Sequence, residues 1–314
     1  MITALVLGAG GLTGQAFHLG VLSALHQLTG YDGRRADILV GTSAGSLVAA
    51  GLAGGLSAAD LTAELTGEEL SKEGAAIRAR SSASSFQAAE QPSGGRGPLD
   101  LGVLLSAARR PFRARPVAVV SSLLPRGKVS TEPISRGLRY LHGDSWPERD
   151  LRICAVRARD ARRVVFGTAG APATDVGTAV AASCAIPAYF QPVTIDGRAY
   201  IDGGMHSPSN ADVVLPDRPD HVVVLSPMSV GPRPGPVPDL AVRLAIRRWL
   251  ALEVRQLRRA GAPVTVIQPT ARDLAVMGVH PMQGARTGEV IEAVAESVRY
   301  RLEAQPHVAD VLAQ

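Results

Sequence analysis

Few residues in this sequence could build a disulfide scaffold or bind a metal. Cys154 and Cys184 are its two cysteines, and both have apolar neighbours, so we expect two small buried side chains in a reducing compartment. The seven histidines show no ligand-like spacing with cysteines or carboxylates. We therefore predict neither a disulfide-rich fold nor a metal site.

Lysine and aromatic residues are scarce as well. Lys72 and Lys128 are the only lysines among 33 basic residues, and 28 acidic residues leave a net charge of +5. This preference for arginine is typical of a coding bias, and an aromatic content of 4% offers few platforms on which single-stranded bases could stack. We interpret the charge as solvated surface and predict no nucleic-acid partner.

The sequence also lacks a long apolar run. No stretch approaches the roughly 18 residues that a membrane-spanning helix needs. The first residues carry no positive segment of a signal peptide and lead directly into a glycine loop, so we expect a cytoplasmic location. A content of 46% hydrophobic and 19% charged residues excludes intrinsic disorder over most of the chain.

What the sequence does contain is an alternation of short apolar runs with helical periodicity, which predicts an α/β fold with a parallel sheet. Residues 2–7 and 37–40 predict buried strands, each followed by a glycine turn and a helix. Asp196 and Gly197 lie between two alternating segments and predict a hairpin. Residues 73–98 have no apolar period and predict a mobile loop. Further strands are predicted at 151–157, 162–167, 221–226 and 264–268, and helices near 14–28, 44–52, 57–70, 99–109, 131–141, 174–185, 240–260 and 286–303.

The glycine-rich turn at residues 8–14 (GAGGLTG) links the first strand to the first helix. Backbone N–H groups in such a turn can bind an anion beside the helix N-terminus, either a dinucleotide phosphate or a transient oxyanion. A dinucleotide site requires an acidic residue at the end of the second strand to hold the ribose. Residues 41–45 (GTSAG) follow that strand without a carboxylate, which argues against a dinucleotide.

The same residues 41–45 form a GxSxG pattern at a strand-to-helix turn. The glycines relieve crowding there, and the turn would expose Ser43 at the carboxyl end of the sheet as a nucleophile. The following helix would add its positive end to stabilise a developing oxyanion. The alternative is a serine that caps an ordinary strand–helix turn.

A serine nucleophile needs a base. His280 and His307 are the late histidines, and neither follows a convincing strand as an α/β-hydrolase histidine would. Asp202 is better placed, because it ends a hairpin strand and is followed by Gly203 and Gly204, which allow close approach of the backbone. The alternative is an ordinary turn aspartate.

Together these segments resemble the patatin-like phospholipase family. Residues 10–14 look like its oxyanion-hole motif, residues 41–45 like its nucleophile elbow, and residues 185–192 and 197–210 like the region of its catalytic aspartate. The resemblance implies one domain over 1–314 with a three-layer α/β/α fold, a mainly parallel central sheet and a lid-like insertion at 73–130. It also implies a lipase or phospholipase A-like serine esterase that acts on lipid or acyl esters without cofactor or metal. The residues it implies are the nucleophile Ser43, the base Asp202, the oxyanion donors Gly10, Gly11 and Leu12, and the elbow glycines Gly41 and Gly45.

One departure from the family concerns Thr13, which stands where members often carry arginine or lysine. The change removes a fixed positive charge beside the oxyanion hole and leaves neutral esters or thioesters open as substrates. An acyltransferase would use the same residues, and a non-catalytic lipid-binding or regulatory module would keep the same fold.

Residues 240–260 predict a basic amphipathic helix with an apolar face and six arginines. Such a helix could rest on an anionic membrane as a peripheral contact, or could dock its apolar face on the sheet. The sequence favours docking.

Overall fold

The computed structural model describes residues 1–80, 127–282 and 284–305. The elements of its first part are β1 (Thr3–Leu7), α1 (Gly11–Thr29), β2 (Ile38–Thr42), α2 (Ala44–Ala53), α3 (Ala58–Thr66) and α4 (Lys72–Arg80). The second part holds α5 (Glu132–His142), β3 (Asp150–Arg157), β4 (Arg162–Phe166), α6 (Val176–Ser183), β5 (Val193–Ile195), β6 (Arg198–Asp202), β7 (His221–Leu225), α7 (Leu240–Arg259), β8 (Val264–Ile267), α8 (Ala271–Met277) and α9 (Thr287–Ala304).

The sheet has eight strands in the order β5-β6-β3-β2-β1-β7-β8, and β4 pairs with β3. The five strands from β3 to β8 along this order are mutually parallel, while β4, β5 and β6 pair antiparallel. The hairpin predicted at Asp196 and Gly197 joins β5 to β6, and both residues adopt the positive φ that such a tight turn requires (49° and 66°).

Helices cover both faces of this sheet. Leu5, Leu7 and Leu39 point into a core shared with α1, α2 and α9. The residues that alternate with them along β1 and β2 point to the other face of the sheet, into a second core beneath α7; these are Ala4, Val6, Ile38 and Val40. Strands buried on both faces explain the continuous apolar runs in the sequence. The predicted fold, a mainly parallel α/β sheet between helical layers, is confirmed.

The helix predicted at 240–260 is α7, and it docks its apolar face on the sheet. Leu250, Val254 and Leu257 are buried there, in one core with residues of β1, β2 and β7. Several of its arginines make hydrogen bonds within the protein: Arg243 donates to the carbonyl of Pro227 (2.9 Å), Arg247 to that of Gly231 and Arg258 to that of Val264. Among the described helices, none is both long and apolar enough to cross a membrane.

The loop prediction at 73–98 is wrong for its first residues, because α4 extends to Arg80. Two contacts hold this helix despite its weak apolar pattern. Arg78 donates to Glu64 of α3 (Nη2–Oε2 2.7 Å), and Ile77 packs against the core. Residues 81–126, including the helix predicted at 99–109, lie outside the described residues. A single domain over 1–314 and a lid-like insertion at 73–130 stay predictions.

Candidate active site

Ser43 occupies the sharp turn between β2 and α2. Its φ of 51° and ψ of −123° place a non-glycine residue in a strained conformation that costs of order 1–3 kcal/mol. Neither neighbouring glycine has room for a side chain, because a Cβ on Gly41 would collide with the backbone of Ser46 and one on Gly45 with the carbonyl of Leu7. The turn is therefore sharp and strained, and it requires glycine at the positions two residues before and two residues after Ser43.

The backbone of this turn is fixed to the neighbouring strand. The Ser43 N–H donates to the hydroxyl of Ser183 (2.8 Å), which in turn donates to the carbonyl of Cys154 in β3 (2.6 Å). Ser43 lies at the carboxyl end of β2, but it is only 4% exposed and not exposed as predicted, and it lines a partly open cavity.

Asp202 reaches Ser43 from the other side of β3. In the sheet, Thr42 lies opposite Cys154, and Asp202 lies opposite the next β3 residue, Ala155. Ser43, which follows β2, and Asp202, which ends β6, therefore lie on opposite sides of β3 at the level of Ala155. The main-chain N–H of Asp202 donates to the carbonyl of Ala185 (2.9 Å), which fixes the strand end.

The Asp202 carboxylate is buried and only half satisfied. Oδ1 accepts a hydrogen bond from the N–H of Gly204 (2.7 Å), whereas Oδ2 has no hydrogen-bond partner of normal geometry among the described residues. Burial raises the pKa of Asp202 to about 6, and the nearby Ser43 hydroxyl and the Gly204 N–H lower it. A carboxylate with this pKa can accept and return a proton near neutral pH.

The glycine loop brings backbone N–H groups to the start of α1. Because α1 begins at Gly11, the N–H groups of Gly11 and Leu12 have no acceptor within the helix, whereas the N–H of Thr13 donates to the carbonyl of Pro281 (3.1 Å). Gly11 has a φ of 62°, and a Cβ on Gly10 would lie 2.8 Å from Cγ of Pro227. These contacts require glycine at both positions and orient the loop.

His18 supports the loop from below and was not among the predicted residues. Its Nε2 lies 2.7 Å from the carbonyl oxygen of Gly8, and the ring is fully buried in α1. Burial lowers the pKa of His18 to about 4, so the ring is neutral at physiological pH. His18 lies four residues after Gly14 and seven after Gly11, on the same face of α1. This helical spacing is the sequence signal that could have indicated it.

A cavity of about 90 Å³ opens beside Ser43. Three predicted site residues, Ser43, Gly11 and Leu12, line it, and the others do not. Its wall is largely apolar, and its remaining residues were not named as site residues from the sequence, although Ala44 and residues 186–190 lie in segments that the family resemblance had indicated. These lining residues are Gln15, Ala44, Leu47, Ser130, Pro133, Ile134, Cys184, Ile186, Tyr189, Phe190 and Met282. The apolar wall suits an acyl chain.

The remaining candidates lie elsewhere. His280 is exposed in the loop after α8, and His307 lies outside the described residues. Thr13 is buried, and its hydroxyl points back to the Gly10 carbonyl. The described ranges contain no group of three or more histidine, cysteine or acidic residues that could hold a metal ion.

The fold and this arrangement define an α/β protein in which a strained serine, a buried carboxylate and backbone donors meet beside an apolar cavity. The family model for patatin-like phospholipase matches residues 5–215, so the chain belongs to that family. Membership implies a lipid acyl hydrolase.

Two examples illustrate the similarity of this chain to solved structures. The first is VipD from Legionella pneumophila, with 15% identity and a TM-score of 0.43, covering 96% of this chain and 67% of VipD. The second is the type III effector protein ExoU, with 17% identity and a TM-score of 0.36, covering 96% of this chain and 53% of ExoU, so the chain spans about half of that protein. A search of curated proteins found no match.

Proposed function

We propose that this protein is a serine acyl hydrolase, a lipase or phospholipase A-like esterase that cleaves carboxylic esters of lipids. Ser43 is the nucleophile and Asp202 its base, with no histidine between them. The observation that carries the proposal is the buried Asp202 carboxylate, whose Oδ2 has no hydrogen-bond partner of normal geometry among the described residues, while the Ser43 hydroxyl lies close enough to lower the pKa of Asp202.

In the first half-reaction, Oδ2 of Asp202 takes the hydroxyl proton as Oγ of Ser43 attacks the ester carbonyl carbon. The carbonyl oxygen becomes an oxyanion, which the N–H groups of Gly10, Gly11 and Leu12 and the positive end of α1 stabilise. When the tetrahedral intermediate collapses, the bond to the alcohol breaks and the alcohol leaves with the proton from Asp202. An acyl group then remains on Ser43.

In the second half-reaction, Asp202 takes a proton from water, and the resulting hydroxide attacks the acyl carbonyl. The same donors stabilise the second oxyanion, and the bond to Oγ breaks. Ser43 recovers its proton from Asp202, and the fatty acid departs. No metal or organic cofactor takes part in this scheme.

The substrate class follows from the cavity and from Thr13. The described wall residues of the cavity carry no charge, so it suits an acyl chain. Thr13 provides no cation beside the oxyanion site, which favours neutral esters over esters whose phosphate must be held there.

The test is labelling with a fluorophosphonate, combined with hydrolysis of p-nitrophenyl esters of increasing chain length. Ser43→Ala should abolish labelling, and both Ser43→Ala and Asp202→Asn should lower the hydrolysis rate by at least about 10²–10³. Ser297→Ala in α9 and Asp196→Asn in the hairpin turn are matched controls that should keep wild-type rates. Unchanged turnover in Ser43→Ala would refute the mechanism.

A further inference from the structure

Asn210 connects the two halves of the proposed dyad from behind. It is fully buried, and its Nδ2 lies 3.1 Å from the hydroxyl oxygen of Thr42, the residue before Ser43. The same nitrogen lies 3.4 Å from the carbonyl oxygen of Gly203, the residue after Asp202. One side-chain amide therefore contacts both chain segments that carry the proposed catalytic groups.

The orientation of this amide is determined by its surroundings. Oδ1 of Asn210 accepts from a guanidinium N–H of Arg163 (3.1 Å), and Arg163 is itself paired with Asp212 (2.6 Å). Nδ2 also lies 2.6 Å from the carbonyl oxygen of Ser207. A donor on the Oδ1 side and acceptors on the Nδ2 side leave one arrangement of the amide.

The bridging loop, residues 207–211, that carries Asn210 is itself anchored. Glu253 of α7 is buried beneath it and accepts from the hydroxyls of Ser207 and Ser209 (2.6 Å each) and from the N–H of Ala211 (3.1 Å). On its other side, the carbonyl of Pro208 accepts from the N–H of Ala9 in the glycine loop (2.7 Å). The bridging loop thus contacts the elbow, the base turn and the glycine loop.

We propose that Asn210 is a positioning residue that sets the separation between Ser43 and Asp202. This inference rests on the proposed function, because it assigns Asn210 a task only if these two residues react. Asn210 touches neither substrate nor the reacting atoms. Its two contacts span the elbow and the base turn, so their loss would let one move relative to the other. Misplacement of reacting groups by about 1 Å can cost about 10²-fold in rate.

The experiment compares variants that remove this connection by different means. Asn210→Gly removes the amide and tolerates the native φ of 52°. Thr42→Val removes the acceptor at the other end, and Thr42→Ser restores the hydroxyl. Val298→Ala, at a buried position on the core-facing side of α9, is a control that lowers thermal stability without touching the bridging loop. Each variant is measured for kcat and KM with p-nitrophenyl butyrate, for its pH profile and for Tm.

We expect Asn210→Gly to lower kcat by about 10–100-fold with KM changed by less than about twofold. Thr42→Val should lower kcat in the same way, and Thr42→Ser should recover most of the loss. The pH at half-maximal kcat/KM should rise in Asn210→Gly, because the Ser43 hydroxyl no longer lowers the pKa of Asp202 as strongly. A variant that is merely less stable would not move this profile.

The inference is overturned if Asn210→Gly keeps the kcat and the pH profile of Val298→Ala at a similar Tm. If Asn210→Gly does not fold, the Thr42 pair decides: equal kcat in Thr42→Val and Thr42→Ser overturns it. Ser43→Ala separates the two proposals. Full turnover in Ser43→Ala removes the dyad and the positioning role together, whereas an inactive Ser43→Ala beside a fully active Asn210→Gly removes the positioning role alone.

Discussion

Replacing Asp202 by asparagine should lower the hydrolysis rate by at least about 10²–10³ and at the same time remove a destabilising contribution to the fold. The carboxylate is 3% exposed, and Oδ2 has no hydrogen-bond partner of normal geometry in the described parts of the chain. An ionised carboxylate in such a place is poorly compensated for its lost hydration. Asparagine has nearly the same shape, carries no charge and does not titrate, and it replaces one carboxylate oxygen with an NH2 donor.

The size of this contribution to the free energy of unfolding follows from the pKa of Asp202. Burial raises the pKa of Asp202 from 3.8 to about 6, which corresponds to about 3 kcal/mol by which folding disfavours the ionised form. The folded protein holds this proton to a higher pH than the unfolded chain does. The contribution of Asp202 to the free energy of unfolding therefore falls as pH rises from about 4 to about 6 and is level above that.

The assay is the Tm of wild type and Asp202→Asn between pH 4 and pH 8. The Tm of Asp202→Asn should rise relative to that of wild type by about 3–5 °C across this range, whatever the offset between them at pH 4. Asp60→Asn is the control with the opposite pKa shift. Although burial raises the pKa of Asp60, hydrogen bonds from Ser57 and Ser71 bring it below its usual value of 3.8, so the folded and unfolded forms differ in protonation only below about pH 4 and the Tm difference between Asp60→Asn and wild type should stay nearly constant from pH 4 to pH 8. A Tm difference for Asp202→Asn that does not change with pH would refute the reasoning.

Three further predictions follow from the same geometry. Below pH 6, kcat/KM for a p-nitrophenyl ester should fall about tenfold per pH unit, because Asp202 must be deprotonated to act as base. A flat profile from pH 4 to pH 8 would contradict this prediction. Gly45→Ala should cost at least about 1–3 kcal/mol, measured by urea unfolding, because its Cβ would meet the carbonyl of Leu7, and a stability equal to wild type would exclude that crowding. Ile134→Trp narrows the cavity and should therefore reduce the hydrolysis of long-chain p-nitrophenyl esters about tenfold or more relative to that of p-nitrophenyl acetate. An unchanged chain-length preference would show that the acyl chain lies elsewhere.

The parts of the site that could be predicted from sequence are local. The strand, the GTSAG turn and the helix follow one another without interruption, so Gly41 and Gly45 identify a tight turn before any tertiary contact is known. The hairpin that ends at Asp202 is equally local. The family resemblance supplied the pairing of Ser43 with Asp202, which no spacing could have provided.

The parts that could not be predicted depend on distant contacts. Asn210 and Thr42 are 168 residues apart, and Glu253 meets Ser209 from 44 residues away. The helix α4 was missed for a related reason, because its ion pair with Glu64 provides no apolar periodicity. The cavity wall is assembled from five separate segments, and their side chains have no pattern until the fold brings them together.

The place of β1 in the sheet has a consequence for the order of synthesis. β1 pairs with β2 on one side, but its other neighbour is β7, which is made about two hundred residues later. The N–H of Gly8 donates to Leu225 at the end of β7, so the glycine loop gains this support only then. A nascent chain interrupted before Leu225 would already contain Ser43 and Asp202 while its glycine loop still lacked that anchor. The C-terminal third therefore supports the glycine loop without supplying either of the two proposed catalytic residues.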